Sequence, residues 1–373
     1  MKVAIIHDWL VTHTGAEKVL SEIVQLYPEA DIFSLVDFLT LQERDDIVSG
    51  KHVQTSFIQK LPFAKKLFRN YLPLFPMAIE RLDIQSYDVI ISSSWAVAKG
   101  VKTKNHQIHV NYCHTPIRYA WDLYDEYTKN LGRVKKYFVQ QTLHYIRQWD
   151  YRVSNRVDVF IANSYFVQKR IRCNYGRDAV VIHPPVDTTT FMPRIHKDKE
   201  RFYVTVSRLV PYKRVAMIVE AFNKNGRKLV VIGSGEEQQY ITAMAEDNIT
   251  ILGWQKNEVI VDYLQRARAF VYAAEEDFGI VPVEAMACGT PVIAYGVGGV
   301  CDSVIEHETG IFFTEQTPEA LNSAVALFET CSFNTATIVS QAKKFSTEMF
   351  RKRFKALMLS TVKERSSSVC DSL

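Results

Sequence analysis

The chain is poor in the features that mark several common classes of protein. Its six cysteines form no C-x-x-C pair and keep no zinc-site spacing with histidine, so they read as reduced thiols. No apolar run is long enough to span a membrane. Met1-Lys2 leads straight into a short apolar stretch, residues 3–6, which falls below the length of a secretion signal's core. Both observations predict a cytosolic (cytoplasmic) chain. An Asp-x-Asp pair is missing, as are internal repeats and low-complexity tracts. Charge of one sign is scarce too: 45 Lys and Arg against 41 Asp and Glu leave a net +4, scattered along the chain. Nucleic-acid binders gather their cations on one face. The scatter argues against such a partner and for a small anionic ligand or an anionic lipid surface.

What is present is the composition of a soluble globular protein, 47% hydrophobic and 23% charged, over 373 residues. That length exceeds one core and predicts two domains. Short β-rich runs alternate with helical patterns: 3–6, 32–35, 89–92, 108–112, 157–162 and 180–182 form a first series, with a long helix over 132–154. After Pro184-Pro185, residues 186–199 read as a polar interdomain linker, and a second series follows at 202–206, 228–232, 249–252, 269–272 and 291–294. Helices are predicted at 215–222, 236–245 and 283–288, the last stopped by Gly289. The alternation predicts an α/β fold of two domains, 1–190 and 200–346, whose parallel sheets are covered by helices and face a central cleft. Ligand sites then belong at the carboxyl ends of strands from both halves. Beyond Pro318 the pattern is helical to 363, with 347–363 packing back on the first domain and 366–373 frayed.

Three stretches of the second half carry chemistry. Glu276-Asp277-Phe278-Gly279 runs into Ile280-Val281-Pro282-Val283-Glu284, so two carboxylates bracket a glycine and the start of a helix. The glycine admits a ligand close to backbone, Pro282 suits a first helical turn, and the free N–H groups there attract a phosphate. One carboxylate can then take sugar hydroxyls and the other ribose hydroxyls. Ser207-Arg208-Leu209-Val210-Pro211-Tyr212-Lys213 sets two cations five residues apart after a strand, with room for a diphosphate between them. Ile232-Gly233-Ser234-Gly235 closes another strand with a glycine turn. Taken singly, each is also an ordinary solvated loop or turn.

Together with Gly253-Trp254 after 249–252 and Gly298-Gly299 behind 275–295, these stretches resemble the donor-binding half of the retaining nucleotide-sugar glycosyltransferases of family 4, and the resemblance covers nearly the whole chain. It implies the GT-B architecture of two Rossmann-like domains, the first for acceptor and the second for donor. Residue by residue, it implies that Arg208 and Lys213 hold the donor diphosphate, with Ser207, Gly233, Trp254, Ile280 and Val281 beside the nucleotide sugar. Glu276 and the Phe278-Gly279 backbone would hold sugar hydroxyls, and Glu284 the ribose. Charge that builds on a leaving diphosphate needs a cation. The other glycosyltransferase architecture holds a divalent ion on an Asp-x-Asp pair. Here Arg208, Lys213 and the helix start after Gly279 take its place, so the expectation is catalysis without a cofactor or bound metal. The family's reaction is thought to pass through an oxocarbenium-like ion pair, which makes Glu276 a positioning group rather than a base.

In the first half, the turn from His7-Asp8-Trp9 to Gly15-Ala16-Glu17 offers Gly15 for close approach to phosphate and carries Ala16 where family members commonly have a second glycine. Asp8 and Trp9 read either as sugar contacts or as a helix cap and a packing ring. Within Cys113-His114-Thr115-Pro116-Ile117-Arg118-Tyr119-Ala120-Trp121-Asp122, the resemblance implies that His114 lies beside the donor sugar and stabilises positive charge on its ring; the plainer reading is a satisfied histidine. Arg118, Tyr119, Trp121 and Asp122 suit stacking on an acceptor sugar or pairing with an acceptor phosphate. Residues 57–76 mix cations with aromatic and aliphatic side chains, which suits either peripheral contact with an anionic inner membrane or a basic segment packed on its own domain. The first-half motifs resemble bacterial mannosyltransferases that build O-antigen and related surface polysaccharides. That implies a GDP-mannose-dependent α-mannosyltransferase with a lipid-linked oligosaccharide acceptor. The alternatives are a UDP- or dTDP-sugar donor, a nucleotide-sugar epimerase and a non-catalytic sugar-binding subunit.

Overall fold

Val3–His7 is buried at all five positions, and a strand without an exposed face belongs inside a sheet covered on both sides. The computed structural model of the chain describes residues 1–11, 15–121, 132–194 and 199–370, and these residues build two such sheets, one in each of two units. Unit 1 is Met1–His183 with Phe350–Leu373, and unit 2 is Pro184–Met349.

In unit 1, β1 (Val3–His7), β2 (Asp31–Ser34), β3 (Val53–Thr55), β4 (Val89–Ser94), β5 (Ile108–Cys113), β6 (Val159–Ala162) and β7 (Ala179–Val181) pair in parallel in the order β3-β2-β1-β4-β5-β6-β7. Alternate residues of β1 feed two apolar layers: Val3 and Ile5 join the cluster that includes Val19 and Ile23, while Ala4 and Ile6 join the one that includes Phe75 and Ile79. In unit 2, β8 (Tyr203–Val206), β9 (Leu229–Ile232), β10 (Ile249–Gly253), β11 (Ala269–Tyr272), β12 (Val292–Tyr295) and β13 (Gly310–Phe313) are parallel in the order β10-β9-β8-β11-β12-β13. Strand order reverses between β1 and β4 in one unit and between β8 and β11 in the other. At such a reversal a doubly wound sheet opens a crevice beyond its strand ends.

Most expected elements stand within a few residues of their places; β3 and β13 were not foreseen, being too short to show a period of two. The expected linker over 186–199 and the boundaries 1–190 and 200–346 need correction. Val186 is 1% exposed and bridges to Ser346, and Phe191 is 3% exposed, so both sit in the core of unit 2. The chain crosses instead at His183–Pro184 and at Met349–Phe350, because two apolar side chains that need cover outweigh the polar residues around them. Residues 195–198 lie outside the described part. The tail expected to fray from 366 continues as the helix Thr347–Cys370, which contains no glycine or proline to stop it.

That helix does pack on unit 1. Phe350, Phe354 and Met358 recur every fourth residue, are at most 3% exposed, and join the cluster of Val3, Ile5 and Tyr112. Over 57–76, the packed reading holds for three apolar side chains. Ile58, Phe68 and Phe75 are buried, anchoring turns at Phe57–Lys60 and Phe68–Leu74, whereas Phe63 is 76% exposed among the exposed cations Lys60, Lys65, Lys66 and Arg69.

Because Phe354 fills the core of unit 1, Phe354→Ala should cost about 3–5 kcal/mol, read as a fall in the urea midpoint. Leu359→Ala, on the same helix but 64% exposed, should change stability by under about 0.5 kcal/mol.

Candidate functional site

In unit 2 the candidate site begins where β8 ends. Ser207 N–H donates to Ile232 O at 3.0 Å and Leu209 N–H to Ser234 O at 3.0 Å, so the loop after β8 lies backbone to backbone on the loop after β9. This contact requires Gly233: its φ is +139°, and a Cβ there would stand 1.8 Å from Ser207 O. Arg208 is exposed in that loop, and Lys213 ends the short turn Pro211–Lys213 before the helix Val215–Asn225. Beside it, Gly233 N–H donates to Gly253 O at 2.8 Å, and Trp254, next in the chain, is 69% exposed.

The loop after β11 meets these. Glu276 forms an ion pair with Lys213 through Oε1 and accepts the Tyr272 hydroxyl at Oε2. Burial and the adjoining Glu276 carboxylate push the Tyr272 hydroxyl well above its ordinary range, so it stays protonated and remains a donor. From behind, Gly299 N–H donates to Glu276 O at 2.9 Å, an approach closed to any side chain because a Cβ at 299 would lie 2.2 Å from Asp277 O. Phe278 is 3% exposed and its ring centroid stands 5.6 Å from that of Phe345, which makes its side chain an anchor and leaves only its backbone for a ligand. Gly279 is the residue before the helix Ile280–Ala287, so Ile280 and Val281 supply first-turn N–H groups, and Glu284, 6% exposed, follows on that helix. Lys213 and Glu276 are thus joined directly, while Arg208, Gly233, Trp254 and Glu284 are carried by neighbouring loops and the following helix.

In unit 1 the reversal between β1 and β4 gathers polar groups. Asp8 is fully buried, and its carboxylate accepts the N–H groups of Trp95, Ala96, Val97 and Ala98 at 2.6–2.8 Å. Burial pushes its carboxyl above the ordinary range, against His7 and those N–H groups, which lower it. The sugar contact expected of Asp8 gives way to the cap, since both oxygens are already engaged. Trp9 likewise packs, with ring centroids 5.6 Å from Phe68, 6.0 Å from Phe75 and 5.2 Å from Trp95. Trp121 donates its indole N–H to Asp150 at 2.9 Å, and Arg147 stands over its ring at 5.4 Å, so one face of the ring already holds the protein's own cation. Asp150 also accepts the Tyr175 hydroxyl at 2.7 Å and pairs with buried Lys99. Arg118 and Tyr119 are half-buried, and Gly15 opens the helix Gly15–Leu26. Asp122 lies outside the described residues, as do 12–14.

His114 follows β5 and is 9% exposed. Its N–H donates to Ser94 O at 2.9 Å, its carbonyl accepts Asn163 Nδ2 at 2.9 Å, and its Nε2 is 2.8 Å from Ser93 Oγ. Burial, with His7 acting in the same direction and Glu17 opposing, pushes its pKa down to about 3, so the imidazole is neutral at working pH. Tyr272, Asp150 and Ser93 were not singled out from sequence. The usable signal for Ser93 was Ser92-Ser93-Ser94 closing a strand that is otherwise apolar, since buried parallel strands run apolar from end to end unless something recruits polar groups.

The comparisons with known proteins bear on the fold of both units. Residues 187–345 match the family model described as Glycosyl transferases group 1, and residues 14–190 the model described as Glycosyltransferase Family 4. The chain is 29% identical over 208 residues to a GDP-mannose-dependent alpha-(1-6)-phosphatidylinositol monomannoside mannosyltransferase of Mycolicibacterium smegmatis, covering 47% of this chain and 53% of that protein. It is 30% identical over 136 residues to an uncharacterized glycosyltransferase of Methanocaldococcus jannaschii, covering 34% and 35% respectively. The chain therefore spans about a third to a half of the length of the curated relatives it matches. Among solved structures it is similar to Anabaena HepE in complex with UDP, with a TM-score of 0.67 at 20% identity over 96% of this chain and 100% of that one. It is also similar to sucrose-phosphate synthase from Thermosynechococcus elongatus, with a TM-score of 0.70 at 17% identity over 98% and 100%. At these identities the likeness establishes the fold.

His109 behaves as His114 does: fully buried, bonded through Nε2 to Ser92 Oγ at 2.8 Å, and pushed by burial to a pKa of about 4. An unfolded histidine titrates near 6.5, so the unfolded chain binds more protons below that pH and stability falls with it. Between pH 7 and 5 each ring should cost about 2 kcal/mol. Urea midpoints at the two pH values should show this loss, and His109→Gln should shrink it by about half; equal midpoints at pH 7 and 5 would contradict it.

Proposed function

The chain has the GT-B fold of the group 1 and family 4 glycosyltransferases, and from that premise we propose that it is a retaining glycosyltransferase moving mannose from GDP-mannose onto a lipid-linked saccharide without a bound metal. The observation that carries the reading is the Glu276 loop. A carboxylate is held by a cation on one oxygen and a buried hydroxyl on the other, directly before a helix start. Such a loop presents acceptors for sugar hydroxyls beside N–H groups and a cation for phosphate.

In the reaction, the bond from the sugar's anomeric carbon to the diphosphate oxygen breaks and a bond to the acceptor oxygen forms. The acceptor's proton passes to the departing diphosphate. Lys213 and Arg208 bear the charge that develops on the leaving group, and the neutral imidazole of His114 adds no positive charge against the oxocarbenium-like sugar. GDP-mannose is favoured by the mannosyltransferase among the relatives. A UDP-sugar is the second reading, favoured by the UDP bound to Anabaena HepE. The exposed Phe63 among exposed cations supports contact with an anionic membrane, where a lipid-linked acceptor resides.

GDP-, UDP- and ADP-sugars offered with a synthetic lipid-diphosphate oligosaccharide should yield a product one hexose heavier with GDP-mannose, and equally so in chelator. Loss of product in chelator would remove the metal-free assignment. Glu284→Ala should raise the Kd for nucleotide about tenfold or more. By contrast, Glu276→Ala should leave that Kd nearly unchanged and lower kcat about a hundredfold or more. Co-sedimentation with phosphatidylglycerol vesicles should weaken in Phe63→Asp and be absent with neutral vesicles.

A further inference from the structure

Three adjacent strands of unit 1 end in a polar string, of which the site as described uses only His114. His7 closes β1, Ser93 lies near the end of β4, and His114 follows β5, while Glu17 comes from the helix Gly15–Leu26. All four are buried: His7 and Ser93 are 0% exposed, Glu17 1% and His114 9%. His7 Nδ1 is 3.1 Å from Ser93 Oγ, which is 2.8 Å from His114 Nε2, and His7 Nε2 lies 3.8 Å from Glu17 Oε1. Trp95 packs edge-on to both imidazoles, with centroids 4.8 Å from His7 and 5.7 Å from His114, and so fixes the planes of both rings.

A hydroxyl has one proton to give. Ser93 therefore donates to at most one histidine, and where it bridges them as donor to one and acceptor from the other the string has two polarities. Glu17 selects between them. At 3.8 Å its carboxylate is too far for a hydrogen bond but close enough, in a buried setting, to favour the proton of His7 on Nε2. The reverse polarity would turn a ring lone pair toward that carboxylate, negative end to negative end. With the proton on Nε2, His7 Nδ1 accepts from Ser93, and Ser93 accepts from His114 Nε2–H.

We infer that Glu17, His7 and Ser93 are positioning residues that hold His114 in its Nε2–H tautomer, so that Nδ1 is the acceptor, electron-rich end of its ring. The catalytic half of this inference rests on the transfer reading above: an electron-rich ring nitrogen stabilises a sugar that becomes positive, whereas an N–H at the same place opposes it. The tautomer itself stands independently of that reading.

The test begins with the unaltered protein. Long-range nitrogen–proton correlation spectra of histidine-labelled protein should show His114 with a protonated Nε2 and a bare Nδ1 between pH 6 and 8. A proton on Nδ1, or two exchanging tautomers, would overturn the inference. Ser93→Ala and Glu17→Gln should then release the tautomer and lower kcat about tenfold or more, with the donor KM unchanged within about twofold. Ser93→Thr, which keeps the hydroxyl, should restore most of kcat. A lowered Tm with unchanged kcat in Ser93→Ala and Glu17→Gln would assign the string to folding alone and overturn its catalytic half. A wild-type protein that shows the expected tautomer yet turns over no nucleotide sugar leaves the string standing and removes the transfer reading.

Discussion

A parallel strand covered on both faces keeps most of its polar groups at its end, although β5 also buries His109 and Asn111 midway. Within this chain the constraint acts twice. Strand β1 is buried throughout and its polar residue is the last, His7; β4 runs Val89-Ile90-Ile91 before Ser92-Ser93-Ser94. In unit 2, β8 gives way to Ser207-Arg208, and β11 to the stretch that holds Glu276. Because strand order reverses between these same neighbours, the polar ends gather where a doubly wound sheet opens its crevice. The apolar layers on either side thus decide where chemistry can occur before any catalytic group is chosen.

The pairing of Lys213 with Glu276 gives the loops after β8 and β11 a second property. Left apart, each would be a partly buried charge; each instead neutralises the other, with side chains 13% and 26% exposed. Tyr272, whose hydroxyl burial keeps protonated, holds the other oxygen of the carboxylate.

How much of this was legible in sequence follows from how local each feature is. Most strands were readable because their buried runs are mainly apolar, β5 with its buried His109 and Asn111 being mixed, and the helix start after Gly279 was readable because its glycine and proline sit in one short stretch. Asp8 was readable only as a choice between ligand and cap, since the N–H groups that decide it begin 87 residues away at Trp95. Trp121 was open for the same reason: an indole looks the same in sequence whether or not Arg147 stands over its ring. Val186 and Phe191 show the converse error, a polar stretch read by its average when two apolar residues determined where it packs.

The neutrality of His114 is the point at which fold and chemistry meet. A histidine on an open surface titrates near neutral pH and would spend part of its time as a cation. Solvation decides the matter here. Desolvation disfavours the charged form, so burial, with His7 acting in the same direction, lowers the pKa to about 3. The same burial that removes the charge also removes water as a competitor for the ring's nitrogens, which lets one serine hydroxyl orient the imidazole. A residue can therefore be kept uncharged, correctly protonated and fixed in direction by packing at a strand end, and the apolar layers of unit 1 supply that packing.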